Sequence, residues 1–148
     1  MRLAHNIVLS VFIKPEEDAQ SIEKAFLSLV PLDLAQEKIK LERTTAEGFE
    51  QRKIKILTIR LTKHRHIQAV LERLNENLSE TEKERLRTEN RTHDLTFYMR
   101  LDKKAAQEGK YSLTDGGECI HIKLVLAAYP KTDEAAKAIV PLLFPKSI

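Results

Sequence analysis

Apolar and polar residues alternate from His5 to Ile13, placing Ile7, Leu9, Val11 and Ile13 on one side of an extended segment, which predicts a first strand. Pro15 sits where a helix begins, followed by Glu16, Glu17 and Asp18, which suit the positive end of a helix dipole. Ile22, Ala25, Phe26 and Leu29 make the helical stripe, and Pro31 ends it. Alternation returns at Lys38 to Thr45, with Ile39 and Leu41 inward. Glu47-Gly48 forms a turn, and Lys53 to Leu61 is the returning strand of a hairpin. In that strand the parity changes from Ile54 and Ile56 to Leu57, Ile59 and Leu61. Either a bulge re-aims it or both of its faces are partly buried.

Thr62 is the expected cap of a second helix with the stripe Ile67, Val70, Leu71, Leu74 and Leu78. Ser79-Glu80-Thr81-Glu82 matches a capping box and starts a further helix, to about Asn90, whose one sizeable apolar residue is Leu86. Leu95 to Leu101 reads as a strand with Leu95, Phe97, Met99 and Leu101 on one face. Asp102 to Gly109 reads as a helical turn closed by its glycine. A short extended piece, Tyr111 to Leu113, precedes the Asp115-Gly116-Gly117 turn. A last strand follows at Cys119 to Tyr129, and then a helix capped by Thr132-Asp133-Glu134. The order β-α-β-β-α-α-β-turn-β-α predicts an α+β fold: a two-layer sandwich with a mostly antiparallel sheet and helices packed on one face.

Size and composition add boundaries to this picture. At 148 residues, 42% hydrophobic and 32% charged, the chain reads as a single domain over residues 1–148 that buries one core without staples. The lone Cys119 excludes an intrachain disulfide and fits a reducing interior. His5, Asn6 and Ser10 interrupt the first apolar run, so it reads as a strand rather than a signal peptide. No apolar run approaches the roughly 20 residues that span a bilayer. The expectation is a soluble, cytoplasmic protein without membrane partners.

The net charge of +3 means little, but its distribution is uneven. From Pro15 to Glu50 nine acids face four bases, whereas Gln51 to Leu71 holds no acid and six cations: Arg52, Lys53, Lys55, Arg60, Lys63 and Arg65. A confined basic patch suggests a local polyanion contact. Cations in the first turn after Thr62 oppose the helix dipole, and a bound phosphate would reverse that sign. The competing reading is a solvated positive face. Opposite Phe97 and Met99 stand Thr96, Tyr98 and Arg100. There Tyr98 is placed to stack on a base while Arg100, Lys103 and Lys104 hold phosphate. The plainer alternative makes Tyr98 a half-buried sheet residue and pairs Arg100 with an acid.

Other chemistry finds little support. His64 and His66 diverge by about 200° on a helix, and no cluster supplies further metal ligands. Cys119 and His121 share a strand face, but neither an oxyanion hole nor a third orienting residue accompanies them. Asp94 with Asp102, or Asp115 with Glu118, would form a metal site only if folding brought them together. No P-loop, dinucleotide fingerprint or nucleophile elbow is present, so neither an enzyme nor a cofactor is expected.

The stretch Tyr98-Met99-Arg100-Leu101-Asp102-Lys103-Lys104-Ala105-Ala106 with Gly109, the opening His5-Asn6-Ile7-Val8-Leu9-Ser10-Val11 and the hairpin around Gly48 resemble a small archaeal family described as RNA-binding and as predicted exosome subunits. The likeness covers essentially the whole chain. Lys104 stands where that family often has glutamine. The resemblance implies a fold like that of the ribosomal protein that binds five-S RNA, an association with RNA, and roles for Arg100, Asp102, Lys103 and Gly109. The resulting expectation is a non-enzymatic RNA-binding protein. Arg52, Lys53, Lys55, Lys63, Arg65, Arg100, Lys103 and Lys104 would touch the RNA backbone. Asp102 would hold a cation or cap its turn, and Gly109 would close that turn. The alternative is an accessory subunit of an exosome-type complex, with exosome or ribosome-associated proteins as partners, that meets RNA only through them.

Overall fold

A computed structural model describes residues 2–146, the side chain of Phe49 excepted. The strands are β1 (Ala4–Ile13), β2 (Glu42–Glu47), β3 (Lys53–Leu61), β4 (Thr92–His93), β5 (Thr96–Asp102) and β6 (Cys119–Leu126). The helices are α1 (Ala19–Leu27), α2 (His64–Asn77), α3 (Glu80–Thr88), α4 (Lys103–Gln107) and α5 (Asp133–Leu143). The strands form one sheet in the order β2-β3-β1-β6-β5-β4, and each neighbouring pair is antiparallel. The fold is α+β.

Alternation explains the layering. Ile7, Leu9 and Val11 of β1, Leu57, Ile59 and Leu61 of β3, Phe97, Met99 and Leu101 of β5, and Ile120, Ile122 and Leu124 of β6 are all buried. They join Ile22, Phe26, Ile67, Val70, Leu74, Leu86, Val140 and Phe144 in one hydrophobic cluster. The opposite side chains of the same strands therefore face away from that cluster. Among the described residues, that leaves one side of the sheet uncovered by helices.

Several expected boundaries shift for local reasons. Helix α1 starts at Ala19, not after Pro15, because Asp18 is its N-cap and accepts from the Ser21 N–H. Glu17 is drawn aside, accepting from the Lys14 N–H at 2.8 Å and from Lys103. Residues 33–41 do not pair. Asp33 accepts from the Gln36 N–H at 3.0 Å, Lys38 takes a φ of 57°, and Ile39 and Leu41 pack on the core from outside the sheet. Strand β3 keeps an uninterrupted register with β1 and β2, so its change of parity reflects two partly buried faces and no bulge. Lys63, without a side-chain cap bond, is the N-cap of α2 in place of Thr62. The Ser79–Glu82 capping box forms. Leu95 leaves the strand for a tight turn, with Asp94 and Leu95 both at positive φ, and β6 stops at Leu126, short of Tyr129.

Candidate nucleic-acid interface

The uncovered face is built from outward positions of four adjacent strands. Register sets Tyr98 of β5 opposite Lys123 of β6, Lys123 opposite Val8 of β1, and Val8 opposite Arg60 of β3. The next row runs Arg100, His121, Ser10, Thr58. Directly opposed side chains in such rows stand about 5 Å apart. Tyr98 is 44% exposed and Phe12, on the same face, 49%. The Phe12 and His121 rings lie 6.4 Å apart, tilted by 42°. Arg100 Nη1 donates to the Asp115 carbonyl at 3.3 Å. Among the described residues no carboxylate pairs with Arg100 or Lys123, whereas Arg60 meets Glu42 at 3.5 Å. Burial, with Arg100 adding to it, pushes His121 below the ordinary histidine value, which favours the neutral imidazole. The arrangement presents aromatic surface beside uncompensated positive charge.

The basic window of Arg52 to Arg65 is not gathered in one place. Lys53 and Lys55 are exposed at the start of β3, on the side of Leu57. Lys63 and Arg65 lie past its other end, and six strand steps from Lys55 to Leu61 alone span about 20 Å. Arg52 is ion-paired with Glu16, holding that carboxyl below its usual value. At the start of α2, Glu37 pairs with Arg65 at 2.5 Å and with His66 at 2.9 Å. His66 first and Arg65 second lower the Glu37 carboxyl. A protein carboxylate thus already answers the cations at that helix start. Lys53, Lys55, Lys63 and Lys104 have no ion-pair partner among the described residues.

The segment from Arg100 to Gly109 is divided in its duties. Arg100 is exposed on the open face, and Lys104 is exposed on α4. Lys103 is 3% exposed. Its ammonium donates to the Phe12 carbonyl at 2.7 Å, to Glu17 at 3.0 Å and to Glu118 at 3.4 Å. Glu118 also pairs with Lys14, the chief reason its carboxyl is lowered. Lys103 is therefore an internal tie and not a surface cation. Asp102 accepts from the Ala105 N–H at 2.8 Å as the N-cap of α4. Gly109 closes that turn at a φ of 82°, in the left-handed region open to glycine.

Asp94 and Asp102 flank opposite ends of β5, and Glu118 turns to the lysines rather than to Asp115. Among the described residues no group of three His, Cys, Asp or Glu side chains is placed to hold a metal ion. Cys119 is buried, and desolvation raises its thiol, which opposes thiolate chemistry. No described helix is long and apolar enough to cross a membrane. Phe12 and Lys123 join this face although neither is singled out by the sequence. Period-two alternation marks both as outward, but placing them beside Tyr98 requires the strand order.

A family model described as RNA binding matches residues 6–126. The chain is 29% identical over 135 residues to RNA-binding protein PAB1135 of Pyrococcus abyssi, covering 89% of this chain and 88% of that one. It is 26% identical over 125 residues to the uncharacterized protein MJ0213 of Methanocaldococcus jannaschii, covering 80% and 81%. Among solved structures, protein AF2318 of Archaeoglobus fulgidus superposes with a TM-score of 0.81 at 28% identity, covering 95% of this chain and 99% of that one. Mth689 of Methanothermobacter thermautotrophicus, described as a DUF54 protein, gives 0.76 at 25% identity, covering 96% and 98%.

Proposed function

Since this chain belongs to the RNA-binding family whose model spans residues 6–126, we propose that it binds RNA directly and without catalysis, through the uncovered face of its sheet. Arg100 and Lys123 contact the sugar-phosphate chain, and Lys104 extends the contact past the end of β5. Arg60 adds less across β3, because Glu42 shares it at 3.5 Å. Lys53, Lys55 and Lys63 lie outside this face and add long-range attraction. Arg52, Arg65 and Lys103 are engaged by carboxylates and contribute least. The observation that carries the reading is that Arg100 and Lys123 flank a half-exposed tyrosine, and among the described residues neither is ion-paired with a carboxylate, Arg100 donating instead to the Asp115 carbonyl. Backbone contacts of this kind hold RNA in place without reading its sequence.

On the same reading the protein serves archaeal RNA processing, where exosome or ribosome-associated proteins are its partners and the five-S-binding ribosomal protein its fold relative. The competing role is that of an accessory subunit that leaves RNA to those partners. Titration of a labelled single-stranded RNA at 50 and 200 mM salt separates the two. Each phosphate contact contributes about 0.7 to the slope of log affinity against log salt, or about 2.6-fold over that fourfold change. Replacing Arg100 and Lys123 together with alanine is expected to lower the slope by about 1.4. Absent or salt-insensitive binding by the unaltered chain rejects direct contact and favours the accessory role.

A further inference from the structure

We infer that the uncovered sheet face selects unpaired RNA, with Tyr98 stacking on one base and Phe12, braced by His121, stacking on another. This rests on the reading above and names the class of RNA that the face accepts.

Tyr98 and Phe12 each keep nearly half of their surface in water. Polar residues would fill those positions at no loss to the core, because both side chains point away from it. Register places the two rings two strands and four residues apart, about 16 Å between Cα atoms from strand spacing and rise. They are too distant to pack as one pair, so each offers a separate stacking surface. Between them lies a hollow of about 380 Å³ lined by Val8, Ser10, Arg100, His121 and Lys123 besides the rings themselves. That volume sits at the lower end of small-molecule sites, where a single planar ring system is accommodated.

Charge fixes the identity of the occupant. Arg100 lies two residues along β5 from Tyr98, and Lys123 lies directly across from it. A base stacked on Tyr98 therefore carries its own phosphate to a cation. His121 stands between the rings; burial lowers its pKa, which favours the neutral imidazole with one donor and one acceptor for a base edge. Paired RNA cannot use these features. In an A-form helix the bases are stacked on one another, the major groove is too deep and narrow for side chains, and the shallow groove offers hydroxyls and base edges rather than free ring faces. Aromatic rings on a sheet reward splayed, unpaired bases.

The test compares two probes on the full chain. One is a labelled 12-nucleotide RNA of mixed sequence without self-complementarity; the other is the same strand annealed to its complement. The expected result is tighter binding of the single strand. Tyr98→Ala and Phe12→Ala should each weaken it by about 5- to 150-fold, the affinity equivalent of losing one base stack. Tyr98→Phe, which keeps the ring, should stay within about twofold of the unaltered protein. Duplex affinity and salt slope should not change in any of the three.

Equal or tighter duplex binding overturns the inference while leaving RNA binding intact. So does a loss in the alanine variants that is the same for both probes, or no loss for either. Failure of the unaltered chain to bind either probe overturns the inference and the parent reading together. A dimer in sedimentation that both alanine variants dissolve, with single-strand affinity unchanged, would assign the face to a second copy and likewise overturn it. Circular dichroism confirms that the variants are folded, which the exposure of both rings leads one to expect.

Discussion

Replacing Lys103 with methionine separates a structural lysine from an RNA-binding one. Its ammonium is held inside the protein by the Phe12 carbonyl and the Glu17 and Glu118 carboxylates, bridging the end of β1, the turn before α1 and the turn before β6. Methionine keeps most of the volume and removes the charge, taking the ammonium from the Phe12 carbonyl and from the mostly buried Glu17, which keeps only the Lys14 N–H. Breaking a buried pair this way costs about 3–5 kcal/mol. Because Glu17 keeps some access to water and Glu118 retains Lys14, the lower end, about 3 kcal/mol, is expected. For a chain of this size that lowers Tm by about 6–12 °C. Thermal unfolding followed by circular dichroism at neutral pH measures it, and Lys103→Met combined with Glu17→Leu should recover part of the loss. The salt slope for RNA binding should stay that of the unaltered protein. A Tm drop below about 2 °C, or a salt slope reduced by about 0.7, would refute the assignment of Lys103 to the interior.

Acid should destabilise the fold through its paired carboxylates. Glu37, lowered by His66 and Arg65, and Glu118, lowered chiefly by Lys14, have folded values beneath the ordinary 4.5. Their stabilisation is complete above the unfolded value and is lost as pH falls through the folded one. Tm should therefore drop below about pH 4.5, with a shallower fall in Glu37→Gln; a flat profile contradicts this. Leu86 is the one fully buried apolar residue of α3, so Leu86→Ala should cost about 2–5 kcal/mol in urea unfolding. Gly109→Ala meets open space but keeps a φ of 82°, so it should cost about 1–2 kcal/mol through the backbone alone.

The fold was legible where each element carries its own period. The strands expected at His5 to Ile13 and Lys53 to Leu61, the stripe of α2 and the Ser79 box need no partner to be recognised, because alternation and capping are local. Boundaries failed where a distant group decides them. Glu17 leaves α1 because Lys103, 86 residues on, is buried and needs a carboxylate. The candidate face was half legible for the same reason. Tyr98 and Arg100 stand out within one strand, but Phe12, His121 and Lys123 join them only because β1 and β6 pair across more than a hundred residues. Charge counting along the chain groups Arg52 to Arg65, but in the fold a strand separates those cations, and Glu16 and Glu37 reach Arg52 and Arg65 from earlier segments.

Ultraviolet crosslinking of bound single-stranded RNA, with adducts mapped residue by residue, tests most directly whether the open sheet face is where RNA lies. The account predicts adducts on Phe12, Tyr98, Arg100 and Lys123, on outward positions of β1, β5 and β6. Adducts concentrated at Lys53 and Lys55, or at Lys63 and Arg65 beside the start of α2, would contradict it.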